Sequence, residues 1–99
     1  SDVVLTSNPS KLTQGSLSQS LTLTVEKDEF INGNATQDTF IFDGDLASLT
    51  ATAYSFQEAQ KIILSVYGTV VKETGQGTLT IKGGFLKGGK DITVSISVE

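Results

Sequence analysis

The sequence contains no cysteine and no histidine. Disulfides and thiolate metal sites are therefore excluded, and the commonest general base and metal ligand is missing. A serine nucleophile has no imidazole to activate it, and a Ser-Lys dyad would need a lysine desolvated beside a serine in a cleft. Tryptophan, methionine and arginine are also absent, and there is a single proline. Seven lysines stand against eleven acidic residues, a net charge of −4, which makes nucleic acid and anionic membrane surfaces poor partners. No apolar run approaches the roughly 18 residues of a spanning helix, so membrane insertion is not expected. No charged-then-apolar leader opens the chain, and an exported parent would carry its leader outside these residues.

What is present is a two-faced sheet composition. Hydrophobic residues make up 37% and charged ones 18%, and Thr, Ser, Gly, Asn and Gln supply most of the rest. Ser20 to Glu26 alternates strictly, placing Leu21, Leu23 and Val25 on one face and Thr22, Thr24 and Glu26 on the other. Asp91 to Glu99 repeats the pattern with Ile92, Val94, Ile96 and Val98, and Thr78 to Lys82 does so over a shorter span. Thr39 to Phe42, Leu49 to Tyr54 and Lys61 to Tyr67 are β-branched or aromatic runs bounded by turn residues. Val3 to Leu5 adds a short first strand stopped by Asn8-Pro9, and the region up to Leu12 reads partly as a connector.

About seven strands at roughly 8 to 12 residue spacing, in a chain the size of one sandwich, point to a single all-β domain over residues 1–99: an immunoglobulin-like antiparallel sandwich of two sheets. The expected core includes Leu23, Ile62, Leu64, Leu79, Ile81, Val94 and Ile96, with Thr22, Thr80, Thr93 and Ser95 on the outer faces. Ser55 to Lys61 reads as a short helical turn. Phe85 and Leu86, bracketed by Gly83-Gly84 and Gly88-Gly89, are placed as a plug at one end of the core.

Leu21-Thr22-Leu23-Thr24-Val25, Asp28-Glu29-Phe30, Gly77 to Lys82 and Phe85 to Val94 together resemble bacterial immunoglobulin-like modules of secreted enzymes and cell-surface proteins, over about residues 17 to 98. The resemblance implies a non-catalytic spacer or docking module of a larger exported, cell-surface or phage structural protein, hence an extracellular or cell-surface location. Its partners would be neighbouring domains of the same parent, with carbohydrate or another protein as alternatives, and no cofactor is implied.

Candidate sites are few. Asp43-Gly44-Asp45, with Asp38 nearby, offers the hard oxygens that calcium prefers, but no bidentate Glu follows at EF-hand spacing, and a self-capped turn is the expectation. Glu26, Asp28 and Glu29 form an acidic patch with no pocket to make it an acid-base pair. Gly83-Gly84 and Gly88-Gly89 lie among Lys82, Lys87 and Lys90, yet Gly89-Lys90 is followed by Asp91 and a strand, unlike a phosphate loop. Asn34-Ala35-Thr36 matches a glycosylation acceptor. Tyr54, Phe56 and Tyr67 are the aromatics least committed to the core, and as one exposed strip they would stack sugar rings, the alternative to a spacer role, or a partner surface.

Overall fold

A computed structural model describes residues 2–99. Eight strands are formed: β1 (Val4–Asn8), β2 (Lys11–Leu12), β3 (Gly15–Glu26), β4 (Phe40–Gly44), β5 (Thr50–Glu58), β6 (Lys61–Val70), β7 (Gly75–Ile81) and β8 (Ile92–Val98). They make two packed four-stranded sheets, ordered β1-β3-β6-β5 and β2-β8-β7-β4. With the two-residue β2 set aside, this is the pairing order of a constant-type immunoglobulin sandwich, four strands against three.

Strand count and polarity depart from expectation at the start of the chain. Pro9 cannot donate to a ladder, so β1 ends its antiparallel pairing with β3 at Asn8. The chain then crosses to the other sheet, where β2 pairs parallel with β8. Ser97 donates its N–H to the Ser10 carbonyl at 3.1 Å and Glu99 donates to Leu12 at 3.0 Å. Leu5 and Leu12 are buried on either side of the crossing, so this stretch packs onto the sandwich.

Ser55 to Lys61, expected as a helical turn, is not helical. β5 runs on to Glu58, and Ala59 and Gln60 turn the chain into β6. Phe56 stands opposite Ile62 and Tyr54 opposite Leu64, so the inward side chains are matched across an antiparallel pair. That pairing outweighs the local helical spacing. Register shifts between Ala51 and Ala53 and between Phe56 and Glu58 interrupt the ladder.

The interior follows the alternation. Leu21 and Leu23 of β3 stand opposite Leu64 and Ile62 of β6, Val25 opposite Leu5 of β1, and these with Val66 line one sheet against Leu79, Ile81, Ile92, Ile96 and Val98 of the other. Of the seven expected core residues six are buried, and Val94 is half-buried but packed on the core. Thr80 and Thr93 meet hydroxyl to hydroxyl at 3.0 Å on the outer face. Gly77 allows a close approach: a Cβ there would stand 2.6 Å from Leu46 Cγ, where the β4–β5 connection tucks onto the sheet.

Leu64→Ala should lower unfolding free energy by about 2 to 5 kcal/mol, because a fully buried side chain leaves a cavity. Thr93→Ala, exposed on β8, should lower it by about 0.5 kcal/mol or less. Urea denaturation of both variants checks the register, and equal losses would reject it.

Candidate functional site

The loop joining β3 to β4, the β5–β6 turn and the loop joining β7 to β8 gather at one end of the sandwich. Phe30 donates its N–H to the Ala59 carbonyl at 2.7 Å, Ile31 to Phe85 at 2.9 Å, and Lys87 to Glu29 at 3.0 Å. Two of the three residues of the expected acidic patch, Asp28 and Glu29, are tied down in this binding, and, contrary to expectation, they border a concavity shared with Lys27, Gln60 and Lys87. Asp28 Oδ1 accepts the N–H groups of Glu29 at 2.7 Å and Gly88 at 2.9 Å, and the Glu29 carboxylate pairs with Lys87 Nζ at 2.6 Å. Glu26 lies exposed at the end of β3. The hydrogen bond to Glu29 raises the Lys87 pKa above its ordinary value of 10.5.

The glycine- and lysine-rich loop is committed in the same way. Asp91 Oδ1 accepts the Gly83 N–H at 2.8 Å and its Oδ2 pairs with Lys82 Nζ at 2.9 Å. A backbone N–H and an ammonium that a phosphate would require are thus occupied by the domain's own carboxylate. The hydrogen bonds from Lys82 and then Gly83 hold Asp91 below the ordinary 3.8.

Asp43 and Asp45 also serve the backbone. Asp43 Oδ1 accepts the N–H of Gly44 at 2.8 Å, and Asp45 Oδ2 accepts that of Gln76 at 3.0 Å while its Oδ1 pairs with Lys72 at 3.2 Å. The Gln76 bond, then Lys72, lowers the Asp45 pKa from 3.8. Asp38 donates its own N–H to the Thr36 hydroxyl at 3.2 Å. Among the described residues no three acidic side chains converge as a metal site would require.

The three aromatics singled out in the sequence do not come together. Tyr54 and Phe56 point inward from β5 and are half-buried, whereas Tyr67 lies on the opposite face of the same sheet with 63% of its surface exposed. The Tyr54 ring meets Phe85 edge-on at 5.1 Å and Phe40 at 6.2 Å. Its hydroxyl accepts the Gly33 N–H at 2.8 Å and donates to Asn32 Oδ1 at 3.2 Å. Tyr67 sits among hydroxyls: Ser18 faces it across the ladder on one side and Thr50 on the other, with Ser20 and Ser65 in the next row. Those rows carry no charge.

A further concavity has no counterpart among the sequence expectations. β5 and β4 are the free edges on one side of the sandwich, and between them opens a cleft of about 480 Å³ with Ala35, Phe40, Ala51 and Tyr54 on its walls and Thr36 and Gln37 at its rim. Its one sequence signal was period two around Phe42, which puts Phe40 on the same inward face. Asn34 of the acceptor pattern is exposed and donates from Nδ2 to the Gly84 carbonyl at 3.2 Å.

Both Asp45 and Asp91 favour the carboxylate more in the folded state than in the unfolded one. Their contribution to stability is present above the unfolded pKa of 3.8 and is lost as pH falls through the lower folded values. Lys87 behaves oppositely, contributing below 10.5 and losing its effect as pH rises through its raised value. Melting temperature should therefore fall on acidification below pH 3.8, and Asp91→Asn should shrink that acid loss while leaving the alkaline limb unchanged. Scanning calorimetry from acid to alkaline pH checks this.

Comparison with protein-family models, with curated proteins and with solved structures finds no match to this chain.

Proposed function

We propose that this domain is a non-catalytic spacer or docking module with an immunoglobulin-like fold, set within a larger bacterial exported, cell-surface or phage structural protein. The observation that carries the reading is the direction of the first and last strands. β1 begins at Val4, paired with Glu26 at the loop-rich end, and β8 finishes at Val98, paired with Gly75 at the other. The backbone thus enters at one end of a body measuring 36 × 26 × 19 Å and leaves at the opposite end. Neighbouring domains joined through these strands would be held apart.

The same geometry suits tension along the long axis. β2 and β8 run parallel, so pulling the chain's two ends apart drags them in opposite directions and loads their hydrogen bonds together in shear. Force spectroscopy on the domain held by its two termini should give an unfolding force several-fold higher than when it is held by the N-terminus and Q60C, both anchors then lying at the loop-rich end and the ladders opening bond by bond. Equal forces in the two geometries would remove the load-bearing spacer reading.

Carbohydrate binding remains the second reading, supported by the exposed Tyr67 among uncharged hydroxyl rows. With Tyr54 and Phe56 turned inward, one ring is left to stack, against the cost of ordering a flexible sugar chain. Calorimetric titration with soluble glucans, xylans and chitin oligomers should show no saturable micromolar binding. Such binding, abolished by Tyr67→Ala, would make carbohydrate recognition the better account.

A further inference from the structure

Three asparagines occur in the chain, and they are not chemically equivalent. Asn8 precedes Pro9, whose nitrogen carries no hydrogen, and Asn34 precedes Ala35 and is tied through Nδ2 to Gly84. Asn32 precedes Gly33, which has no Cβ to hinder approach of its backbone nitrogen to the Asn32 side-chain carbon. Both residues are exposed in a turn, and Gly33 has a φ of 93°. On chain connectivity alone this is the site of the molecule most open to spontaneous deamidation.

The fold adds a restraint at that site. The Tyr54 hydroxyl touches both reacting groups, accepting the Gly33 N–H at 2.8 Å and donating to Asn32 Oδ1 at 3.2 Å. The hydroxyl is itself held in place, because its ring is packed edge-on against the buried Phe85. We propose that Asn32–Gly33 is a deamidation site which the Tyr54 hydroxyl latches shut, so that covalent change of the β3–β4 loop proceeds only when that latch opens.

The chemistry needs only hydroxide and water. The Gly33 nitrogen gives its proton to hydroxide and attacks Asn32 Cγ; the new N–C bond forms as the Cγ–Nδ2 bond breaks, and ammonia leaves. Water then opens the cyclic imide at either carbonyl, giving an aspartyl or an isoaspartyl linkage at position 32. One water enters, one ammonia departs, and nothing is oxidised or reduced. A hydrogen bond from the Gly33 N–H favours the protonated nitrogen, and the bond to Oδ1 pins the amide that must rotate toward it, so both contacts oppose the attack. The isoaspartyl product would lengthen the turn by one backbone carbon and add a negative charge beside the cleft that Tyr54 lines.

The test follows the full chain at mildly alkaline pH and physiological temperature by intact mass, reading a gain of about 1 Da, with peptide mapping to locate it and to separate the two products. Tyr54→Phe keeps the ring and removes the hydroxyl. It should deamidate at position 32 several-fold faster, up to about tenfold if the latch is worth a typical hydrogen bond, with no change at Asn34. Asn32→Gln should abolish the signal in either background. Amide exchange on the unaltered chain gives an independent readout, in which the Gly33 N–H should be protected relative to its rate in the free peptide spanning residues 31–35. A folded Tyr54→Phe variant with an unchanged or slower rate would overturn the proposal, as would an unprotected Gly33 amide or deamidation of the folded chain as fast as that of the peptide.

Discussion

The end of the sandwich depends on one buried ring. Phe85 stands in a single 3-10 turn (Gly83–Phe85), fully excluded from solvent, and meets Phe30 at 5.6 Å, Phe40 at 5.4 Å and Tyr54 at 5.1 Å. These partners come from the β3–β4 loop, from β4 and from β5. Aromatic pairs in tilted and edge-on arrangements add to the apolar area they bury. Loops that would otherwise be free to spread are thus drawn over the core, and their backbone groups come close enough to bond one another. The cleft wall and the Tyr54 latch follow from the same packing, since the Phe85 face positions the tyrosine whose hydroxyl reaches Asn32 and Gly33.

Carboxylates then tie the connections with backbone bonds. Asp28 joins the β3–β4 loop to the β7–β8 loop, Asp45 joins the β4–β5 connection to β7, and Asp91 closes the β7–β8 loop on itself. Each accepts an N–H that no ladder satisfies, which answers the demand that turns place on unpaired donors. Four of the eleven acidic side chains, Asp28, Asp43, Asp45 and Asp91, are in this way turn chemistry.

The two long sides of the sandwich are unlike. On one, the first extended segment switches sheets and inserts Leu5 and Leu12, covering the gap between them. On the other, β5 and β4 stand as free edges beside a cleft lined with alanines and two aromatic rings. β5 has only Glu58 as a charge, and two register shifts interrupt its ladder with β6, the kind of irregularity that discourages pairing at a free edge. The sealed side is also the one that holds the parallel β2–β8 pair.

Alternation in Ser20 to Glu26, Thr78 to Lys82 and Asp91 to Glu99 was enough to assign inward and outward faces, because side chains on a strand reverse direction at every residue whatever they pack against. The missing residue types were equally decisive, since thiolate and imidazole chemistry cannot occur without cysteine and histidine. Phe85 and Leu86 were legible as a plug because permissive glycines flank them. The rest needed contacts between distant parts of the chain. Local spacing made Ser55 to Lys61 look like a turn of helix until Phe56 had Ile62 opposite it, and the parallel pairing of Lys11 and Leu12 with Ser97 and Val98 carries no local signal. Tyr54, Phe56 and Tyr67 share a chemistry but not a face. Periodicity reports which residues point the same way along one strand, and only the pairing of strands decides which faces become one surface.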